Sequence, residues 1–290
     1  MTVAPRKEYT LRLRSVPWVM GRKTLVMGIL NITSDSFSDG GRFLDFDRAV
    51  EQARRLVDEG ADILDVGGES TRPFSEPVDL EEELSRVIPL IRKVREFSDI
   101  PVSIDTNKAE VARQALAAGA DILNDVSSFR FDEDMAEVAA GSGVPVVLMH
   151  MLKTPAEMQR DPFYPSLFSE IVSFLENRIQ YAVERGVRRE QIIVDPGIGF
   201  GKTVDHNLRI VRNLEIFHAL DRPLLLGASR KRFIGALLDR PEEEREVGTA
   251  AVNTWAVAAG AHIVRVHDVA FQKQAVSVAD ALRTDPGGTP

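Results

Sequence analysis

The chain contains no cysteine, so disulfides, cysteine-ligated zinc, iron–sulfur clusters and thiolate nucleophiles are all excluded. No apolar run approaches the roughly 18 residues that a membrane span needs. The opening MTVAPRKEYT lacks the apolar core of a secretory signal. An excess of positive charge is missing too, since 36 Lys and Arg against 44 Asp and Glu leave a net charge of −8. That sign argues against a chain whose business is neutralising nucleic-acid phosphates or anionic lipid. No G-x-G-x-x-G follows the first apolar run, so the usual dinucleotide-binding fingerprint is absent as well. The expectation is a cytoplasmic protein with neither a membrane nor a nucleic-acid partner.

What is present suits a folded enzyme-sized chain. At 44% hydrophobic and 28% charged, the 290 residues lie well away from the disordered regime and can build a real core. Short apolar runs recur: LVMGILNI at 25–32, ILDVGG at 63–68, PVSIDT at 101–106 and ILNDVS at 122–127. They continue as PVVLMH at 145–150, QIIVDPG at 191–197, PLLLGAS at 223–229 and HIVRVHD at 262–268. Each reads as a strand buried on both faces of a parallel sheet. Helical spacing lies between them, as in Phe46, Val50, Ala53 and Val57, or Val111, Ala115 and Ala118. EGADILDV, AGADILND and AGAHIVRV form a partial internal repeat in which a helix end, a Gly and a new strand follow at once.

Length alone, at roughly 150 residues per domain, suggests two domains. Eight strand–helix units favour a single α/β chain folded as a (β/α)8 TIM barrel over an open doubly wound sheet. Residues 1–24 are expected to form an N-terminal segment, with a β-hairpin near 8–20 covering the barrel floor. Residues 25–283 would be the barrel and 284–290 a frayed end.

In such barrels the site is built from the C-terminal strand ends and the loops after them. Those ends carry Asn31, then 69–72, then Asp105, Asn124, Asp125, Met149, His150 and Asp195, then Ser229, Arg230, Lys231 and Arg232, and finally Arg265 and His267. They separate by sign. Asp105, Asn124 and Asp195 accept hydrogen bonds and suit a ring rich in N–H groups. Ser229, Lys231, Arg265 and His267 suit a phosphorylated or otherwise anionic end. Taken alone, Asp105 or Asp195 also fits as a helix cap, Arg265 as a structural ion pair, His267 as a core hydrogen bond and the SRKR run as a solvated helix start. His150, between Met149 and Met151, also fits as plain packing. The joint occurrence at successive strand ends favours the functional reading. Two long Gly-, Ser- and Asp-rich loops, at 31–41 and 67–77, belong on the same rim and would exclude water.

At MGILNITSDSFSDGG, DVGGESTRP, SIDT, LNDVS, VVLMHM, DPGIGFGK, LLGASRKRFIG and VRVHDV the chain resembles the dihydropteroate synthase family, the folate-pathway target of sulfonamides. The resemblance covers nearly all of 25–281. It implies a TIM barrel, usually a homodimer using Mg²⁺, that joins 6-hydroxymethyl-7,8-dihydropterin pyrophosphate to 4-aminobenzoate and releases pyrophosphate. By motif, it implies pterin binding by Asp105, Asn124, Met149, Asp195 and Lys231. Asn31, Thr71, Arg72, Arg265 and His267 would meet the pyrophosphate, with Asn31 and Asp35 near the metal. Phe37, Pro73 and Phe200 would enclose 4-aminobenzoate. Asp105, Asp195, Lys231, Arg265 and His267 would carry the chemistry, an SN1-like loss of pyrophosphate stabilised electrostatically at both ends. Two positions depart from the family: Ser34 stands where Pro is common, and Arg232 where a small Ser touches the aminobenzoate carboxylate. A corrinoid-dependent methyltransferase barrel would share the pterin cluster but has no use for GGESTRP, SRK and RVHD together. A non-catalytic relative would have lost the phosphate anchor or the first loop, and both motifs are intact.

Overall fold

The computed structural model describes residues 6–14, 16–32, 41–70, 77–155 and 157–283. A hairpin comes first, β1 (Tyr9–Leu13) and β2 (Val16–Met20), antiparallel with Tyr9 opposite Met20. Strands and helices then alternate: β3 (Leu25–Asn31), α1 (Gly41–Asp58), β4 (Ile63–Gly67), α2 (Leu80–Phe97), β5 (Val102–Asp105), α3 (Ala109–Ala118), β6 (Ile122–Asp125) and α4 (Met135–Ser142). They continue through β7 (Val146–Met149), α5 (Leu167–Glu184), β8 (Ile192–Asp195), α6 (Val204–Arg212), β9 (Leu225–Leu226), α7 (Arg232–Leu238), α8 (Glu246–Ala258), β10 (Ile263–Val266) and α9 (Val269–Arg283). Among the described residues, β3 to β10 form an eight-stranded parallel sheet in the order β8-β7-β6-β5-β4-β3-β10-β9. A bridge between Val194 and Leu224 closes the ring, where the Val194 N–H donates to the Pro223 carbonyl at 2.9 Å. The architecture is the (β/α)8 barrel with an N-terminal hairpin that the sequence pattern predicts.

Each apolar run holds a strand, but the seventh is short. PLLLGAS contributes only Leu225 and Leu226 to the ladder. Gly227 then leads out of it toward Arg230, which turns with φ 56°. In the helices the expected stripes point inward: Val50 and Ala53 are buried, as are Val111 and Ala115. The repeat glycines Gly60, Gly119 and Gly260 have φ of 89°, 116° and 94°, the left-handed turn that lets a helix stop and the next strand begin.

The barrel interior has two layers. Leu25, Met27, Ile63, Ile122, Val147, Ile193, Leu225 and Ile263 pack in one apolar cluster with Tyr9, Leu11, Leu13 and Met20 of the hairpin. Gln191 ties the hairpin down, accepting from the Arg12 N–H at 2.8 Å and donating to the Arg12 carbonyl at 3.0 Å. Side chains alternate along a strand, so residues two positions further on face the same interior. Those residues are Ile29, Asp65, Asn124, Met149, Asp195, Gly227 and Arg265. Register sets them side by side, with Asn31 beside Gly67, Gly67 beside Asp105, Asp105 beside Asn124, and Met149 beside Asp195. No helix among the described residues is long and apolar enough to cross a membrane.

Candidate active site

The upper layer is a buried cluster of charge. Arg265 donates through Nε to Asp65 at 2.6 Å and through Nη2 to Asp105 at 2.7 Å, and its Nη1 takes part in neither contact. Asn124 reaches Asp65 from the other side at 3.3 Å. Burial disfavours the Arg265 charge, but Asp65 and Asp105 outweigh it and hold the guanidinium protonated. Burial drives the Asp105 carboxyl upward, Arg265 opposes, and Asp65, Glu83 and Asp125 push the same way as burial. Its Oδ1 is buried without a hydrogen-bond partner among the described residues. Such an acceptor is costly unless a donor is delivered to it.

Asp195 closes the cluster across the ring. Burial pushes its carboxyl up to about 6, against the Gly197 N–H, Lys202, Lys231 and Arg265, which pull it down. It therefore remains largely ionised at neutral pH while being stripped of water. An ionised, desolvated carboxylate of this kind interacts strongly with any positive charge brought to it.

The arc of the rim between Asp195 and Arg265 supplies further cations and donors. The Ser229 hydroxyl meets His267 at both its N–H, 3.2 Å away, and its ring Nδ1, 2.9 Å away. Lys231 caps the start of α7 and holds its ammonium 4.2 Å above the Phe200 ring. Arg230 turns aside to pair with Glu246 on α8. A cavity of about 570 Å³ opens here, lined among others by Asn31, Lys202, Ser229, Lys231, Arg265 and His267. Arg232, an exposed residue, is also among those lining it. Asp105, Asn124, Asp195 and Met149 lie behind that lining, each at most 6% exposed. Met149 and Phe200 meet there with Val126, Met151 and Met158 in a small apolar cluster.

The described residues among those expected to form the site are thus brought to one end of the barrel, the acceptors and the cations interleaved around one rim. Asp35, Phe37, Thr71, Arg72 and Pro73, with Ser34, lie outside the described residues. Asp125 follows the plainer reading: it is fully buried and accepts from the backbone of Ser127 and Phe129 at 2.7 Å each, a turn-forming cap. Three side chains escaped the sequence reading. Asp65 sits inside an apolar run instead of at its end, and an acid within such a run was the available signal. Lys202, 3% exposed, ends the DPGIGFGK motif and faces His150. Lys108 pairs with Glu69 and Glu83, tying the stem of the second loop to the segment after Asp105.

Residues 27–267 match the family described as pterin binding enzymes. The dihydropteroate synthase of Synechocystis sp. is 51% identical over 263 residues, 90% of this chain and 91% of that one. A solved dihydropteroate synthase of Xanthomonas albilineans with 4-aminobenzoic acid superposes with a TM-score of 0.89 at 41% identity, covering 97% of this chain and 100% of that one. The same enzyme in complex with 7,8-dihydropteroate gives 0.84 at 40% identity, over 92% of this chain and 97% of that one.

Proposed function

The chain belongs to the dihydropteroate synthases among the pterin-binding enzymes, and from that premise we propose how its rim performs the reaction. The enzyme is a transferase of folate biosynthesis. It condenses 6-hydroxymethyl-7,8-dihydropterin pyrophosphate with 4-aminobenzoate to give 7,8-dihydropteroate and pyrophosphate. Asp105, Asn124 and Asp195 hold the N–H-rich pterin edge, with Met149 against the ring and Lys231 at its side. Arg265, His267 and Asn31 receive the pyrophosphate. The observation that carries this reading is the placing, at one barrel end, of two buried carboxylates, one with an unsatisfied oxygen, and a cation-rich cavity.

The chemistry needs no covalent adduct with the enzyme. The methylene C–O bond breaks and its electron pair leaves with pyrophosphate. The resulting dihydropterin cation is stabilised by the desolvated carboxylates of Asp105 and Asp195. The amine nitrogen of 4-aminobenzoate then forms the C–N bond and one amine proton is lost. Phe200 provides an apolar wall for the aminobenzoate ring. Asp35, Phe37, Thr71, Arg72 and Pro73 keep the roles that the family resemblance implies for the two loops.

Magnesium fits this rim. It prefers hard oxygen ligands, keeps several waters and leans on substrate phosphates instead of an all-protein cage. The half-buried Asn31 side chain offers an amide oxygen at the cavity that holds Arg265 and His267. Among the described residues no group of three His, Cys, Asp or Glu side chains is placed to hold a metal by itself. When bound, the ion neutralises charge on the leaving pyrophosphate.

A second copy of the chain is the partner in this reading. Val247 and Trp255 on α8 and Phe271, Val278 and Leu282 on α9 present apolar side chains to solvent, with Val247 at 71% and Leu282 at 76% exposed. Pairing two such faces in a homodimer removes them from water. Light scattering of the wild type should give the dimer mass and that of Val247→Glu the monomer mass. The location in this reading is the cytoplasm. The deciding assay is pyrophosphate release from the dihydropterin pyrophosphate with and without 4-aminobenzoate and Mg²⁺. Release that requires both supports the assignment, and release indifferent to 4-aminobenzoate overturns it.

A further inference from the structure

Lys202 is buried at 3% exposure, yet no carboxylate lies within ion-pair reach of it among the described residues. Its ammonium instead meets neutral acceptors: the His150 ring Nδ1 at 2.9 Å, the Phe200 carbonyl at 3.1 Å and the His150 carbonyl at 3.5 Å. Burial pulls the ammonium down to about 7, Asp195 opposes and Lys231 adds to the fall. Burial, with Lys202 and Arg130, keeps His150 neutral, which leaves Nδ1 free to accept. A lysine is therefore an expensive choice here, and fold stability does not explain it, since an apolar side chain of similar length would be easier to bury.

The contacts show what the lysine holds. The turn at 196–202 carries Gly197, Gly199 and Gly201 at φ 71°, 81° and 66°, conformations that leave it no regular ladder of its own. Two side chains fasten it from outside, Gln159 donating to the Gly199 carbonyl at 2.6 Å and Tyr164 to the Gly201 carbonyl at 2.9 Å, and Lys202 fastens it from within by donating to the Phe200 carbonyl. Of these, the Lys202 bond is made to the residue whose ring lies under the Lys231 ammonium. His150 anchors the other side, because its backbone N–H donates to the Asp195 carbonyl at 2.9 Å. Its carbonyl presses on Gly197 so closely that a Cβ there would lie 1.9 Å away.

We propose that Lys202, acting through His150, is a positioning residue for the 4-aminobenzoate side of the site: it pins the 196–202 turn to the end of β7 so that the Phe200 ring keeps its place. The proposal rests on the reading of Phe200 as the aminobenzoate wall. Specificity for one substrate over the other is its signature, because the pterin acceptors Asp105 and Asn124 are held by other strands, Asp195 and Met149 by their pairing between β7 and β8, and Lys231 by the start of α7.

The test is steady-state kinetics on Lys202→Met, His150→Leu, His150→Gln and Phe200→Ala, with melting temperatures recorded for each. Lys202→Met is expected to raise the KM for 4-aminobenzoate about ten-fold, the size of one lost charge-assisted hydrogen bond. The KM for the dihydropterin pyrophosphate should stay within about two-fold, and Tm should move little, because the lost donor for two buried acceptors is offset by no longer burying the ammonium. His150→Leu should reproduce that selective rise, and His150→Gln, which keeps an acceptor, should restore most of it. Combining Lys202→Met with His150→Leu should add little, as expected for two partners in one contact. Equal rises in both KM values, or rises that follow a loss of Tm, overturn the proposal. If Phe200→Ala leaves the KM for 4-aminobenzoate unchanged, the underlying reading of Phe200 falls. If it raises that KM and Lys202→Met does not, the pinning role alone falls.

Discussion

The same eight strands build two opposite environments within one residue pair of each other. At the floor the interior positions are Ile63, Ile122, Val147, Ile193 and Ile263, sealed by the apolar face of the hairpin. One step of two residues along the strands, roughly 6.6 Å, the interior positions become Asp65, Asn124, Met149, Asp195 and Arg265. Backbone geometry does not distinguish the layers. Their difference lies entirely in side-chain chemistry: the floor gains its free energy by removing surface from water, whereas the rim holds desolvated charges that only a ligand can satisfy fully. Stability and function thus occupy separate storeys of one ring, which explains how the rim tolerates an orphaned carboxylate oxygen on Asp105.

This separation can be broken from either side. The largest expected effect is at the upper storey: Asp105→Asn or Asp195→Asn should cut turnover by at least ~100-fold, the scale of a lost preorganised electrostatic contact. Thermal unfolding should show no loss of stability in either variant, and near-normal turnover in both would sink the assignment of these carboxylates. Next is Gln191→Ala at the floor, which leaves the Arg12 backbone groups without their partner and should cost about 1–3 kcal/mol in denaturant unfolding. Its kcat and KM values should match wild type. Ile193→Val, two positions before Asp195, should cost about 0.5–1.5 kcal/mol, again without a kinetic change; altered kcat would show that the storeys are coupled. The smallest effect is in pH. Because Asp105 and Asp195 act as carboxylates and burial has raised them to about 7 and about 6, kcat/KM should begin to fall near neutral pH and drop further as Asp195 is protonated. A profile flat down to pH 5 would show that its ionisation is not required.

The barrel was legible because every strand is a continuous apolar run and the repeat glycines mark where helices stop. The same continuity hid which face of each strand looks inward. For that reason Asn124 and Asp125 read alike in sequence, although alternation sends one into the site and the other into a turn. Asp65 was hidden by its apolar neighbours, and the partner it shares with Asp105 is Arg265, 200 residues further on. Lys202 was hidden by habit, since a lysine after a glycine-rich turn usually points to water. The acceptor and cation groups stood out because they end strands, and strand ends in a barrel share one rim whatever their separation in the chain. The motif residues of the two loops were visible in sequence but lie outside the described residues.

The ring's closure carries one more consequence. Between β8 and β9 the ladder shrinks to the Val194–Leu224 bridge, whereas the neighbouring β7 and β8 are paired along their whole length. A hoop fastened at one rivet parts first at that rivet. Its two lips carry Asp195 on one side and Ser229 and Lys231 on the other, so any breathing of the seam changes the gap between a pterin acceptor and a phosphate-side donor. In amide hydrogen exchange, Val194 should lose its protection ahead of Ile193 and Leu148, and bound pterin should slow it most.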